Sequence, residues 1–254
     1  MKKTILGLIF LGGILSLVSC APGKTSPGLA PANPADFNIY LNQGIESLSD
    51  KDYSKAATYL KQAVTADPTS SRAYNLLGIA FFRQKDYIQA KKAFEKAISV
   101  KTDYAEAYNN LGSAFCLLKD FEKAKSMFLK AISLSPKAVS SFYSLGTILL
   151  LMGNAREGMA YLAKGIELDP DFLEKHQDMI TGLAYQGYDA AAMAFSYARL
   201  FASAGNVDKT LFYLEKADRA HFKHWAKVLF GKEFEKVKDD PKIQEFLRAR
   251  RLEE

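Results

Sequence analysis

The sequence predicts an all-helical fold made of short repeated units stacked side by side. Residue types recur at intervals of 34 from Tyr40 to Phe142. A proline or a threonine closes each interval. The first 36 residues stand apart: an apolar run, a single cysteine, then a stretch rich in proline and glycine.

Taking the elements in order, Lys2 and Lys3 precede an apolar segment from Ile5 to Val18. A membrane-spanning helix needs ~20 apolar residues, so this shorter segment reads as a secretory signal, positive first and then apolar. Leu17-Val18-Ser19-Cys20 resembles the lipobox of bacterial lipoproteins. That resemblance implies removal of residues 1–19 and lipids on the thiol and amino group of Cys20. One acyl chain holds a protein only marginally, whereas two or more anchor it. Ala21 follows the cysteine where aspartate would signal retention in enterobacterial lipoproteins, which points to the periplasmic face of the outer membrane. The remainder of residues 20–36 holds Pro22, Pro27, Pro31 and Pro34 and forms a flexible tether. Gly23-Lys24-Thr25 is no phosphate loop, because Val18 stands where that motif needs glycine.

Loss of Lys2 and Lys3 lowers the formal charge from +6 to +4. Both signs are interspersed, and no basic run is longer than "RARR" at Arg248–Arg251. No nucleic-acid partner is expected. With Cys20 lipidated, Cys116 has no disulfide partner.

The repeat has several columns. Tyr40, Tyr74, Tyr108 and Phe142 form one; Gly44, Gly78, Gly112 and Gly146 form another. Ala56, Ala90, Ala124 and Gly158 make a third, and Leu60, Phe94, Phe128 and Leu162 a fourth. Ala63, Ala97, Ala131 and Gly165 make a fifth, and Pro68, Thr102, Pro136 and Pro170 close the units. A period of 34 with these residue types, and above all the stretch Ala105–Pro136, resembles the tetratricopeptide repeat. The resemblance implies a right-handed superhelical array of helix–turn–helix units over residues 37–70, 71–104, 105–138 and 139–172.

The columns make physical sense in that frame. The aromatic opening the first helix of each pair (helix A) and the leucine three residues on (Leu77, Leu111, Leu145) share a buried face. The glycine lets the second helix (helix B) approach, with Ala56, Ala90 or Ala124 expected opposite. Proline stops helix B. No unit buries its own apolar face alone, so stacking makes the core. Gly158 and Gly165 cost about 1 kcal/mol each in helix propensity, which points to a tighter contact with the next element or to a bend.

Beyond Pro170 the period breaks. Gly153–Gly165 matches Gly205–Ala217 at an offset of 52, one period with 18 residues inserted. An extra helix is expected in 173–190 and a degenerate repeat in 191–222. Capping helices should fill 223–254, with Phe234, Val237, Ile243, Phe246 and Leu247 inward.

The family resemblance implies a concave groove lined by the A helices. Its groove positions fall on Asn42, Ile45, Arg72, Asn75, Ile79, Phe82, Glu106, Asn109, Asn110, Ser113, Tyr143, Ser144 and Thr147. Asparagine amides both donate and accept, so a peptide or partner helix fits. The family's chaperone-binding members clamp a carboxylate with lysines, an arginine and asparagines. The matching places here hold Leu41, Ile45, Leu76, Glu106 and Asn110, so that clamp is absent.

Chemistry is poorly provided for. The histidines are His176, His221 and His224, with no cysteine or placed carboxylate beside them. Cys116 has no activating neighbour in its own unit and reads as a small hydrophobe. Neither enzyme activity, cofactor nor metal is expected. The reading is a membrane-anchored scaffold for an envelope complex, its partners other envelope proteins or peptide segments. A pilotin-like factor for type IV pilus or secretin assembly is the alternative, because pilotins share the plan of lipoprotein signal, short tether and repeats. Apolar faces on terminal repeats leave a homo-oligomer open as well.

Overall fold

The structure, a computed structural model, describes residues 33–175, 189–223, 225 and 231–250. Cys20, the signal and most of the tether lie outside the described residues, as do His176 and His224. Among the described residues there is helix and no strand.

The first four pairs are α1 (Phe37–Ser49) with α2 (Tyr53–Ala66), α3 (Ser71–Arg83) with α4 (Tyr87–Val100), α5 (Ala105–Leu117) with α6 (Phe121–Leu134), and α7 (Val139–Leu151) with α8 (Ala155–Leu168). Each helix packs on its neighbours in chain order. Within each pair the turn is the same. Lys51, Lys85, Lys119 and Gly153 take φ of 61°, 66°, 64° and 82°. Their N–H groups and those of the next residue bond back to carbonyls of the preceding helix, as Lys85 N does to Phe82 O and Asp86 N to Phe81 O. This is the Schellman termination, which asks for a left-handed residue. The next residue caps helix B: Asp52, Asp86 and Asp120 accept from the N–H of Lys55, Gln89 and Lys123. Such a cap stabilises by about 1 kcal/mol.

The glycine column sets how closely A and B approach. A methyl group on Gly44, Gly78, Gly112 or Gly146 would stand 2.6, 2.4, 2.6 or 2.5 Å from Leu60, Phe94, Phe128 or Leu162. The nearest obstacle is therefore the large side chain of helix B, and not the small residue expected there. Only the fourth pair adds a small-residue contact: Gly158 meets the Gly146 carbonyl at 2.8 Å from its Cβ direction, and Gly165 lies under the Tyr143 ring. Both glycines serve close approach inside their own pair, and not the contact with the next element that was expected.

After α8 comes the short α9 (Phe172–Lys175), the only described part of the expected extra helix. Next are α10 (Ala190–Ser203) and α11 (Val207–Arg219), joined at Gly205 with φ of 77°. This pair sits against the fourth. Thr147 and Tyr197 share a hydroxyl hydrogen bond of 3.0 Å, and Lys209 Nζ donates to the Pro170 carbonyl at 2.6 Å. A 3-10 turn at Lys232–Phe234 packs on α10, and α12 (Pro241–Arg248) packs on α11. Phe234, Val237, Ile243, Phe246 and Leu247 are all buried in that end core. Ion pairs Arg199–Glu233 and Arg250–Asp218 tie the tail to α10 and α11.

Candidate functional site

Helices α1, α3 and α5 carry a row of side chains at matching registers, and these divide between the two ends of the helices. Along the C-terminal halves run Ile45, Leu48, Ile79 and Phe82, all half-buried. Along the N-terminal halves stand Asn42, Arg72 and Glu106, exposed, with Asn110 half-buried. Ser113 is half-buried beside them. These side chains reach solvent because each A helix is covered only by its own helix B and by neighbouring pairs.

Five other expected lining residues are not open. Asn75 is 1% exposed, Asn109 8%, Tyr143 3% and Thr147 3%, and Ser144 is buried as well. Asn75 sits between consecutive A helices. Its amide nitrogen donates to Glu106 Oε1 at 3.0 Å and Tyr104 Oη at 3.4 Å, and its oxygen accepts from Asn110 Nδ2 at 3.0 Å. Burial raises the Tyr104 hydroxyl pKa, and the Glu106 carboxylate adds to that. Asn109 holds the same register one pair later, and its buried Oδ1 has no hydrogen-bond partner among the described residues. Tyr143 comes next in the column; its hydroxyl donates to the Asp169 carbonyl at 3.1 Å and its ring stacks on Phe172 at 5.1 Å. All residues of α7 from Ser141 to Leu149 are buried, as an apolar composition around the whole helix demands. The expected lining residues that reach solvent thus lie on the first three pairs.

Cys116 is buried on α5, and burial pushes its thiol up to about 12, which suits packing and not nucleophilic attack. His221 is exposed at φ 64°, closing α11 with a backbone bond to the Asp218 carbonyl. Among the described residues, no group of three or more His, Cys, Asp or Glu could hold a metal ion, and no helix is long and apolar enough to cross a membrane. Sequence reasoning missed one feature, a cleft of about 740 Å³ on α10 lined by Phe195, Arg199, His221, Phe222 and Glu233. Its walls come from residues whose approach depends on the chain reversal after α11.

Family models of the tetratricopeptide repeat match residues 41–90, 69–137 and 139–172. The chain is a tetratricopeptide repeat protein. Solved structures share its fold at low identity. A crystal structure of MamA is 22% identical, covers 76% of this chain and 93% of its own, and has a TM-score of 0.52. The structure of PilF from Pseudomonas aeruginosa is 21% identical, covers 85% of this chain and 98% of its own, also at 0.52. No curated protein matches the sequence. Tetratricopeptide arrays are in general non-catalytic modules that bind other proteins.

Proposed function

We propose that this tetratricopeptide protein is a lipid-anchored scaffold that docks a segment of another envelope protein in the groove of its first three pairs. The observation that carries the reading is the row of half-buried Ile45, Ile79 and Phe82, with exposed Asn42 and Arg72 nearer the N-termini of the same helices. Apolar side chains held part-way into solvent gain by being covered. Lipids on Cys20 and a tether over residues 21–36 would confine the array within about 50 Å of a membrane. Confinement raises the effective concentration of a membrane-bound partner without any new contact.

In-cell photo-crosslinking from the exposed Asn42 and Arg72 tests the groove. One dominant envelope partner, lost in Ile79→Asp/Phe82→Asp, is expected; an unchanged adduct pattern in that variant would refute groove docking. Metabolic labelling with a radioactive fatty acid tests the anchor, with label expected on the native chain and absent from Cys20→Ala. The pilotin-like reading is favoured by the sequence plan of lipobox, short tether and repeats. Loss of secretin multimers in a deletion strain is its expected signature, and intact multimers would end it.

A further inference from the structure

Resting on the reading that lipids on Cys20 tether the chain to a membrane, we infer that the outer side of α2, α4 and α6 is a second working surface, which lies on the anionic headgroups of a phospholipid bilayer. Charge separates between the two helices of each pair. Helices α2, α4 and α6 carry eight lysines against Glu95 and Glu122, an excess equal to the +6 of the whole chain. Their A partners, α1, α3 and α5, carry Arg72 and Arg83 against Glu46 and Glu106. The later B helices are balanced as well: α8 has two cations and two acids, and α11 has three of each. The excess therefore sits on one helix of each of the first three pairs, at the end of the array where the tether of residues 21–36 joins α1.

Packing turns that charge outward. Each of these helices buries one stripe, Ala56 with Leu60, Ala90 with Phe94 and Ala124 with Phe128. Away from that stripe Lys55, Lys61, Lys92, Lys96, Lys123 and Lys130 are exposed. Lys91 and Lys123, from neighbouring pairs, both lie over the Phe115 ring, at 5.8 and 5.5 Å, which joins the cations of α4 and α6 into one surface. Ion pairs occupy Lys91, Lys123 and Lys125, whereas Lys55, Lys61, Lys92, Lys96 and Lys130 enter none among the described residues.

The composition selects a bilayer. All eight cations are lysines, point charges that answer a diffuse anionic surface, where arginine forks would better grip the individual phosphates of a nucleic acid. Ile88 and Leu129 stand on the same helices, 59% and 37% exposed. Apolar side chains beside lysines are covered at the boundary of headgroup and acyl chain. The tether supplies the encounter, since exposed charges act over only about 8 Å at physiological salt.

The test uses the full chain carrying Cys20→Ala, which takes no lipid, and measures sedimentation with vesicles of phosphatidylcholine, alone or with phosphatidylglycerol added. Binding in excess of the phosphatidylcholine value is expected on the anionic vesicles. Each lysine near an anionic surface is worth about fivefold in affinity. Lys55→Glu/Lys92→Glu/Lys130→Glu should therefore weaken that excess by on the order of 100-fold. A control with the same change in net charge, Lys223→Glu/Lys232→Glu/Lys236→Glu on exposed lysines of the tail, should stay within about fivefold of Cys20→Ala alone. Equal binding to the two vesicle types, or equal losses in the two triple variants, would overturn the face. Tighter binding to a duplex DNA than to the anionic vesicles at the same salt would overturn lipid as its occupant. On the lipidated chain, a nitroxide on Ser126→Cys of α6 should be shielded from a water-soluble nickel complex on anionic vesicles and open to it on phosphatidylcholine; a label equally open on both would overturn the face with its charges intact. Failure of the lipidated chain to associate with phosphatidylcholine vesicles would refute the Cys20 anchor and leave the face standing.

Discussion

Replacing Gly78 by alanine separates local helix preference from packing between helices A and B. Preference alone favours alanine by about 1 kcal/mol in a helix interior. Packing opposes it. The new methyl would stand 2.4 Å from Phe94 Cε1 and 2.5 Å from Cδ1, and the ring is itself 1% exposed. Ordinary carbon contact begins about 1 Å further out, so either the ring or helix α4 must shift. Overpacking of this kind costs about 1–3 kcal/mol, leaving a net loss of about 1 kcal/mol and a fall in Tm of about 2–4 °C. Urea unfolding followed by circular dichroism reads it. The same substitution in a Phe94→Ala background should change sign, because the obstacle is gone and only the propensity gain of about 1 kcal/mol remains. Gly78→Ala matching or exceeding the native stability with Phe94 in place would refute the reasoning.

Three further outcomes rest on the same geometry. Lys51→Gly, Lys85→Gly and Lys119→Gly relieve a left-handed residue at φ 61–66°, so each should stabilise by about 0.5–1 kcal/mol in chemical unfolding; a loss at all three would show that the lysine side chains hold the turns. Burial pushes the Tyr197 hydroxyl up to about 12 against the Thr147 hydrogen bond, and burial raises Tyr143 as well. The native state keeps protons that the unfolded chain releases near pH 10. Stability is therefore complete below pH 10 and falls above it by about 1.4 kcal/mol per pH unit for each such tyrosine. Tyr197→Phe should flatten that fall while costing about 1 kcal/mol at neutral pH, since Thr147 keeps a buried hydroxyl; a slope identical to the native one would refute it. Native Cys116 should resist a thiol reagent at neutral pH and react only on unfolding, and fast labelling of folded protein would contradict its burial.

Much of the fold was legible because the repeat prints the same physical demand several times. Four glycines in one column mark where the two helices of each pair meet, although the sequence set alanines against them and the structure sets Leu60, Phe94, Phe128 and Leu162 there. The five apolar tail residues were legible for a related reason: an apolar stripe on a short polar helix has to find a surface. The left-handed turn residue was also written in the sequence. Gly153 and Gly205 begin the two matching segments, and Lys51, Lys85 and Lys119 lie in the same column. Lysine conceals the signal because it tolerates the conformation at a modest cost, where glycine would advertise it.

The groove was less legible, and Asn75, Asn109, Tyr143 and Thr147 show why. A register tells which way a side chain leaves its own helix, but exposure is decided by what the next pair brings against it. Asn75 is closed over by Glu106 and Asn110 of the following A helix. Thr147 is closed by Tyr197, fifty residues away across the inserted segment. Neither neighbour can be inferred from the column in which the residue stands. Ile45, Ile79 and Phe82 stay half-open because they lie toward the other end of the A helices, beyond the polar contacts that hold successive pairs together. What the stacking leaves over on α1 and α3 includes half-buried Ile45, Ile79 and Phe82 as well as exposed Asn42 and Arg72.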